Sequence, residues 1–171
     1  GAGTNVLTFA SLAAPSVGSS LNITGIDATH NIAFTANPTL SPVTTGILSR
    51  VTIGGTDFAT TTGAGPFVLG AFSSYTALLN TAGATNTVKI TASETLTSLA
   101  ATRNALAISG VNLTADSVNG SVLTLTSGGV LSTGAGTNVL SITNVALGAV
   151  EGIFHVNAGN TLDVRSEERR V

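Results

Sequence analysis

The chain of 171 residues carries 6 Lys and Arg against 8 Asp and Glu, so 8% of it is charged, where a soluble domain ordinarily has about 25%. Six cations cannot build the basic surface that phosphate neutralisation requires, which excludes a nucleic-acid-binding module. Cys, Met and Trp are absent and 43% of residues are hydrophobic, which excludes disulfides, thiolate metal sites, a cysteine nucleophile and a disordered acidic tail.

Gly1 is not a translation start, and no basic segment followed by an apolar run opens the chain, so it reads as an interior piece with no visible signal peptide. Residues 58–88 and 117–150 hold no charge, yet Thr, Ser, Asn and Gly interrupt both, and no run of about 18 apolar residues exists. A membrane barrel needs aromatic girdles, which one Tyr and no Trp cannot make. The chain is therefore expected not to span a membrane.

Helix formers are scarce and β-branched residues abundant, which predicts an all-β chain. In residues 1–56 alternating apolar pairs mark strands at Leu7/Phe9, Leu21/Ile23, Ile32/Phe34 and Val51/Ile53, with Pro15, Pro38 and Pro42 at turns. Their uneven spacing predicts less regular solenoid coils, with a small β-sandwich as the rival. Residues 57–85 hold Phe58, Phe67, Phe72 and Tyr75 among Gly63, Gly65, Pro66 and Gly70, and are expected to leave the coil and fold back over its flank. Those rings either cover an apolar edge or stack on sugars; Phe lacks the polar handle of a sugar platform, which favours the first.

Residues 86–164 repeat. Apolar pairs fall at Val88/Ile90, Leu106/Ile108, Leu123/Leu125, Leu140/Ile142 and Leu162/Val164, with steps of 18, 17, 17 and 22. A second apolar group follows each of the first four, at Leu96, Val111/Leu113, Val130/Leu131 and Val145/Leu147. Asn86, Asn104, Asn138 and Asn160 each stand two residues before a pair. Such a period is the mark of a solenoid, in which one coil cannot bury its own apolar face. The expected interior columns are Val88, Leu106, Leu123, Leu140 and Leu162, then Ile90, Ile108, Leu125, Ile142 and Val164, with the Asn residues stacked at one corner. Gly1–Leu7 and Gly134–Leu140 are the same string, Gly-Ala-Gly-Thr-Asn-Val-Leu, which points to duplicated coils.

The segment Leu123-Thr124-Leu125-Thr126-Ser127-Gly128-Gly129-Val130-Leu131-Ser132-Thr133-Gly134, with Ile142-Thr143-Asn144 and Asn160-Thr161-Leu162, resembles the autotransporter-associated β-strand repeat proteins of bacterial surfaces. Residues 51–60, continuing to Tyr75, resemble a segment that precedes such repeats in long passenger proteins. The resemblance covers roughly residues 50–164. It implies a right-handed parallel β-helix (β-solenoid), here with a coil period of about 17–22. It also implies an exported, extracellular or outer-surface location, and a non-enzymatic stalk or adhesin-like role. The implied partners are glycans or cell surfaces through weak contacts, and the rest of a long chain at both ends.

No catalytic, cofactor-binding or metal-ligating set is expected. His30 and His155 fall in no metal-binding spacing, and nucleophile-elbow, P-loop and dinucleotide glycine motifs are missing. Parallel β-helices also host polysaccharide lyases and hydrolases, so the alternative is a carbohydrate-active enzyme. Among Asp27, Asp57, Glu94, Asp116, Glu151 and Asp163, the pair Asp116 and Glu151 would lie two coils apart on one face, about 10 Å from each other. That is too wide for a retaining pair, and a solvated acidic face explains both. Residues 165–171 hold five charges, against nine in the 164 before them. They read as a non-native tail, a string that a translated sequencing adapter also produces, with a charged cap as the rival reading.

Overall fold

The computed structural model describes residues 3–13, 16–43, 45–110, 112 and 114–165. Pro15, Val111, Leu113 and residues 166–171, on which several expectations rest, lie outside the described residues. Seventeen strands and no helix are present among those described, so none is a helix long and apolar enough to cross a membrane. The chain divides into two compact units, Gly1–Ser73 and Ser74–Val171.

The second unit is a parallel β-solenoid with three sides. Its first side stacks β7 (Thr87–Ile90), β10 (Ala105–Ser109), β13 (Gly129–Thr133) and β16 (Ile153–Val156). The second stacks β8 (Glu94–Leu96), β11 (Thr114–Ser117), β14 (Gly136–Ser141) and β17 (Asn160–Val164), and the third β9 (Ala100–Arg103), β12 (Val122–Leu125) and β15 (Asn144–Ala146). In β12 the period of two turns alternate residues inward, with Leu123 and Leu125 buried and Val122 and Thr124 half-buried, whereas β13 is buried along its whole length. Each Leu taken wholly from water contributes about 1.5–3 kcal/mol. The stack is continuous because every coil covers the apolar face of the one before it.

The registers correct the expected columns. Val88 does lie beside Leu106, but Leu106 lies beside Val130, and Val130 beside Phe154. Leu123 stands on the third side between Ala101 and Val145, and Leu140 on the second side between Ala115 and Val164. The apparent step of 17 is less than one coil. It arises because all three sides carry the same alternation, so moving to the next strands around the coil looks like moving up one coil.

The first unit is a mixed sheet of β1 (Asn5–Phe9), β2 (Leu21–Ile23), β3 (His30–Phe34), β4 (Leu48–Ile53), β5 (Asp57–Thr62) and β6 (Phe67–Ala71), in the order β1-β3-β6-β5-β4-β2. Two pairs run parallel, β1 with β3 and β2 with β4, as coils would. Antiparallel pairing of β4, β5, β6 and β3 joins them. Its core is Phe34, Leu40, Leu48, Val51, Ala59 and Leu69, with Ile23, Ile32, Ile53 and Phe67 packed against it.

Residues 57–85 are thus not one excursion. Residues 57–71 form a hairpin, because the turn residues gather at 63–66, where Gly63 and Gly65 take positive φ, and leave alternating strands on either side. Phe58 and Phe72 are buried. Residues 74–86 belong to the solenoid unit, where Leu79 and Ala82 join the core beside Val88 and Leu96.

Candidate functional site

Several polar side chains buried in the solenoid join coil to coil. Asn104 follows β9 at a corner, and its side-chain amide donates to Thr87 Oγ1 at 2.8 Å. Its carbonyl oxygen accepts from Ser127 Oγ at 2.8 Å, and its backbone N–H donates to the carbonyl of Asn86 at 2.8 Å. This corner is therefore an Asn86, Asn104, Ser127 column. Asn138 and Asn160 belong to another place, on β14 and β17. Asn138 Nδ2 donates to the carbonyl oxygens of Ile108 at 3.1 Å and Thr133 at 3.0 Å, and Asn160 Nδ2 to that of Gly136 at 3.2 Å. The single expected Asn corner is two corners, for the same reason that the columns were misassigned.

A second polar cluster closes the first coil. Arg103 stands in register with Leu125, at an inward position, and is buried. Its Nε donates to the carbonyl oxygen of Leu79 at 2.9 Å, Nη2 reaches the same oxygen, and Nη1 donates to the carbonyl of Thr102 at 2.6 Å. Burial pushes its pKa below the ordinary arginine value, and the charge of Glu94 opposes that shift. The Glu94 carboxylate accepts from the backbone N–H groups of Leu79 at 2.6 Å and Asn80 at 2.9 Å. Asn80 Oδ1 in turn accepts from the N–H of Thr97 at 2.9 Å. These groups hold residues 79–80 against the first coil, where Leu79 joins the apolar core beside Val88, Leu96 and Ala101. The sequence carries a signal for this cap that periodicity alone did not reveal: an arginine at an inward strand position of a nearly uncharged chain.

The remaining titratable residues do not converge. Asp116 lies on β11, on the second side, and its Oδ1 accepts from the Ser117 N–H at 2.7 Å. Glu151 precedes β16 on the first side, and its carbonyl lies so close to Gly128 that a Cβ there would collide with it. They share no face, which corrects the expected placement. Asp163 pairs with exposed Arg165 at 2.5 Å, and that bond raises the arginine's pKa. His155 lies on β16 opposite Leu131.

In the first unit, Asp27 accepts from Thr29 Oγ1 at 2.7 Å and from the N–H groups of Thr29 at 2.6 Å and His30 at 2.8 Å, with His30 Nδ1 at 3.1 Å. The Thr29 hydroxyl first, and then these N–H donors, hold its carboxyl far below the usual range. No group of three or more His, Cys, Asp or Glu able to hold a metal occurs among the described residues. The four aromatics separate: Phe67 packs on the core of the first unit, while Lys89 Nζ lies 5.1 Å from the centre of the Tyr75 ring in the second. An apolar cavity of about 370 Å³ opens beside Phe9, Leu12, Ile23, Phe34, Val51 and Leu69. Its lining suits an apolar group and offers little to orient one. Among known proteins, no family model matches the chain, and neither a curated protein nor a solved structure matches it.

Proposed function

We propose that the chain is a non-enzymatic structural segment of a long exported bacterial surface protein, a stiff stalk or adhesin-like passenger. The observation that carries this reading is the use of the solenoid's buried polar groups. Asn104, Ser127 and Asn138 each bond a neighbouring coil, and Arg103 and Glu94 hold the cap. Polar chemistry spent on cohesion supports a mechanical role, because stacked coils resist extension through many parallel bonds at once. The repeat resemblance supports the surface location, and the Thr-, Ser- and Asn-rich exterior suits weak contacts with glycans.

The test is a pair of assays on the whole chain. A panel of acidic and neutral polysaccharides should release no new reducing or unsaturated ends, while a glycan array should show weak binding or none. Turnover of any polysaccharide would replace this reading with the carbohydrate-active alternative.

A further inference from the structure

Of the thirteen asparagines in the chain, only Asn119 is followed by glycine. Most of the others precede Val, Ile or Thr, whose branched Cβ crowds the backbone nitrogen, and Asn37 precedes Pro38, which has no N–H. Asn104 and Asn138 are also buried, with their amides bonded to neighbouring coils.

Asn119 stands apart in structure too. It is exposed between β11 and β12, in a turn that the Ser121 N–H closes by donating to the carbonyl of Val118 at 3.1 Å, with Gly120 at a φ of 83°. That left-handed position suits glycine. A Cβ on Gly120 would meet no atom within 4 Å, so the space beside its nitrogen is open. Among the described residues, no hydrogen bond reaches the Asn119 side-chain amide and none leaves the Gly120 N–H. An amide carbon and the nitrogen able to attack it are thus both unshielded.

We propose that Asn119 is a site of spontaneous covalent modification, at which this corner of the solenoid loosens with age. The Gly120 nitrogen attacks Cγ of Asn119: a C–N bond forms, the Cγ–Nδ2 bond breaks, and the amide leaves as ammonia with the proton that Gly120 gives up. Water then opens the cyclic imide. Hydrolysis between Cγ and the Gly120 nitrogen leaves aspartate, whereas hydrolysis between that nitrogen and the Asn119 backbone carbonyl carbon leaves isoaspartate, with a main chain longer by one carbon. Water is the only co-reactant, and nothing is oxidised or reduced.

Isoaspartate is the product that disturbs the fold, because the turn is pinned to the coils on both sides. The Val118 N–H donates to the carbonyl of Leu96 at 3.1 Å and the Val122 N–H to that of Leu99 at 2.9 Å, while the Ser121 carbonyl accepts from the Asn144 N–H at 3.1 Å. A lengthened main chain cannot keep these bonds together with the one from Ser121 to Val118.

The test is to hold the full chain, folded, in mildly alkaline buffer at body temperature for several weeks and map its peptides by mass spectrometry, with isoaspartate detected by isoaspartyl methyltransferase. Asn119 should become a mixture of aspartate and isoaspartate while the other asparagines stay intact, at a rate close to that of the same site in urea. Asn119→Gln should abolish the loss of ammonia. The purified isoaspartyl chain should melt at a lower temperature than the fresh chain, whereas Asn119→Glu, which adds the charge without the extra carbon, should melt with the wild type. An Asn119 that lasts as long as the other asparagines in the folded chain, ammonia loss that persists in Asn119→Gln, or an isoaspartyl chain that melts with the wild type would overturn the proposal.

Discussion

Arg103 reaches from an inward position of the first complete coil to the carbonyl oxygen of Leu79, which its Nε meets at 2.9 Å. That contact ties a non-repeating segment onto the apolar end of a repeating one, and the carbonyl is buried with the guanidinium. Arg103→Met keeps the volume and removes the donors. It should destabilise the chain by about 3 kcal/mol, because a buried acceptor is left without a partner. Arg165→Ala, which breaks an ion pair at the surface, should change little. Urea midpoints of the two variants check the contrast, and amide exchange at Leu79 and Asn80 should accelerate in the first.

Leu123 is fully buried on the third side, and Thr124 faces the other way. Leu123→Ala should cost about 2–5 kcal/mol through lost transfer energy and the cavity left between Ala101 and Val145. Thr124→Ala should cost less than about 1 kcal/mol. Equal losses in thermal unfolding would contradict the period-two assignment of this strand.

Fold class was legible in the sequence because strands such as β12, with Leu123 and Leu125 buried, keep their own alternation, and alternation needs only local sequence. Coil length was not. Val88 and Leu106 are true neighbours on one side, but the next apolar pairs, at Leu123 and Leu140, stand on the other two sides, and nothing in an apolar pair states which side of a triangle it occupies. In residues 57–71 the local signals were present: Phe58 and Phe67 with Leu69 alternate on either side of a Gly- and Pro-rich turn. Reading the glycines as dispersed hid the hairpin. The cap was hidden for another reason, since the partners of Arg103 and Glu94 are backbone atoms of residues 79–80, and backbone groups leave no mark on composition.

Asp27 accepts several hydrogen bonds that favour its charged form, led by that from the Thr29 hydroxyl, so its folded pKa lies below its unfolded one. The stabilisation this gives is complete above the unfolded carboxylate range, near about 3.9, and is lost as pH falls through the lower folded value. An NMR titration should place the Asp27 carboxyl midpoint well below those of ordinary aspartates. Asp27→Asn should flatten the acid limb of stability in that window. A midpoint in the ordinary range would refute the hydrogen-bonded assignment.

A solenoid whose coils share one register should survive removal of a whole coil. Leu106 and Val130 are partners in successive coils, so deleting residues 105–128 sets Gly129 where Ala105 stood and Val130 beside Val88. The strands β13, β14 and β15 then follow β7, β8 and β9 as one coil follows another, and the cap over the first coil is untouched. The deleted chain should keep its β-type circular dichroism and a cooperative melt, at a lower temperature because one layer of the core is gone. Deleting residues 105–116 instead brings Ser117 and the turn that follows it to the first side, so that neither inward pattern nor corner continues. That chain should lose its cooperative transition. If the two deletions behave alike, the three-sided register described for residues 87–164 is wrong.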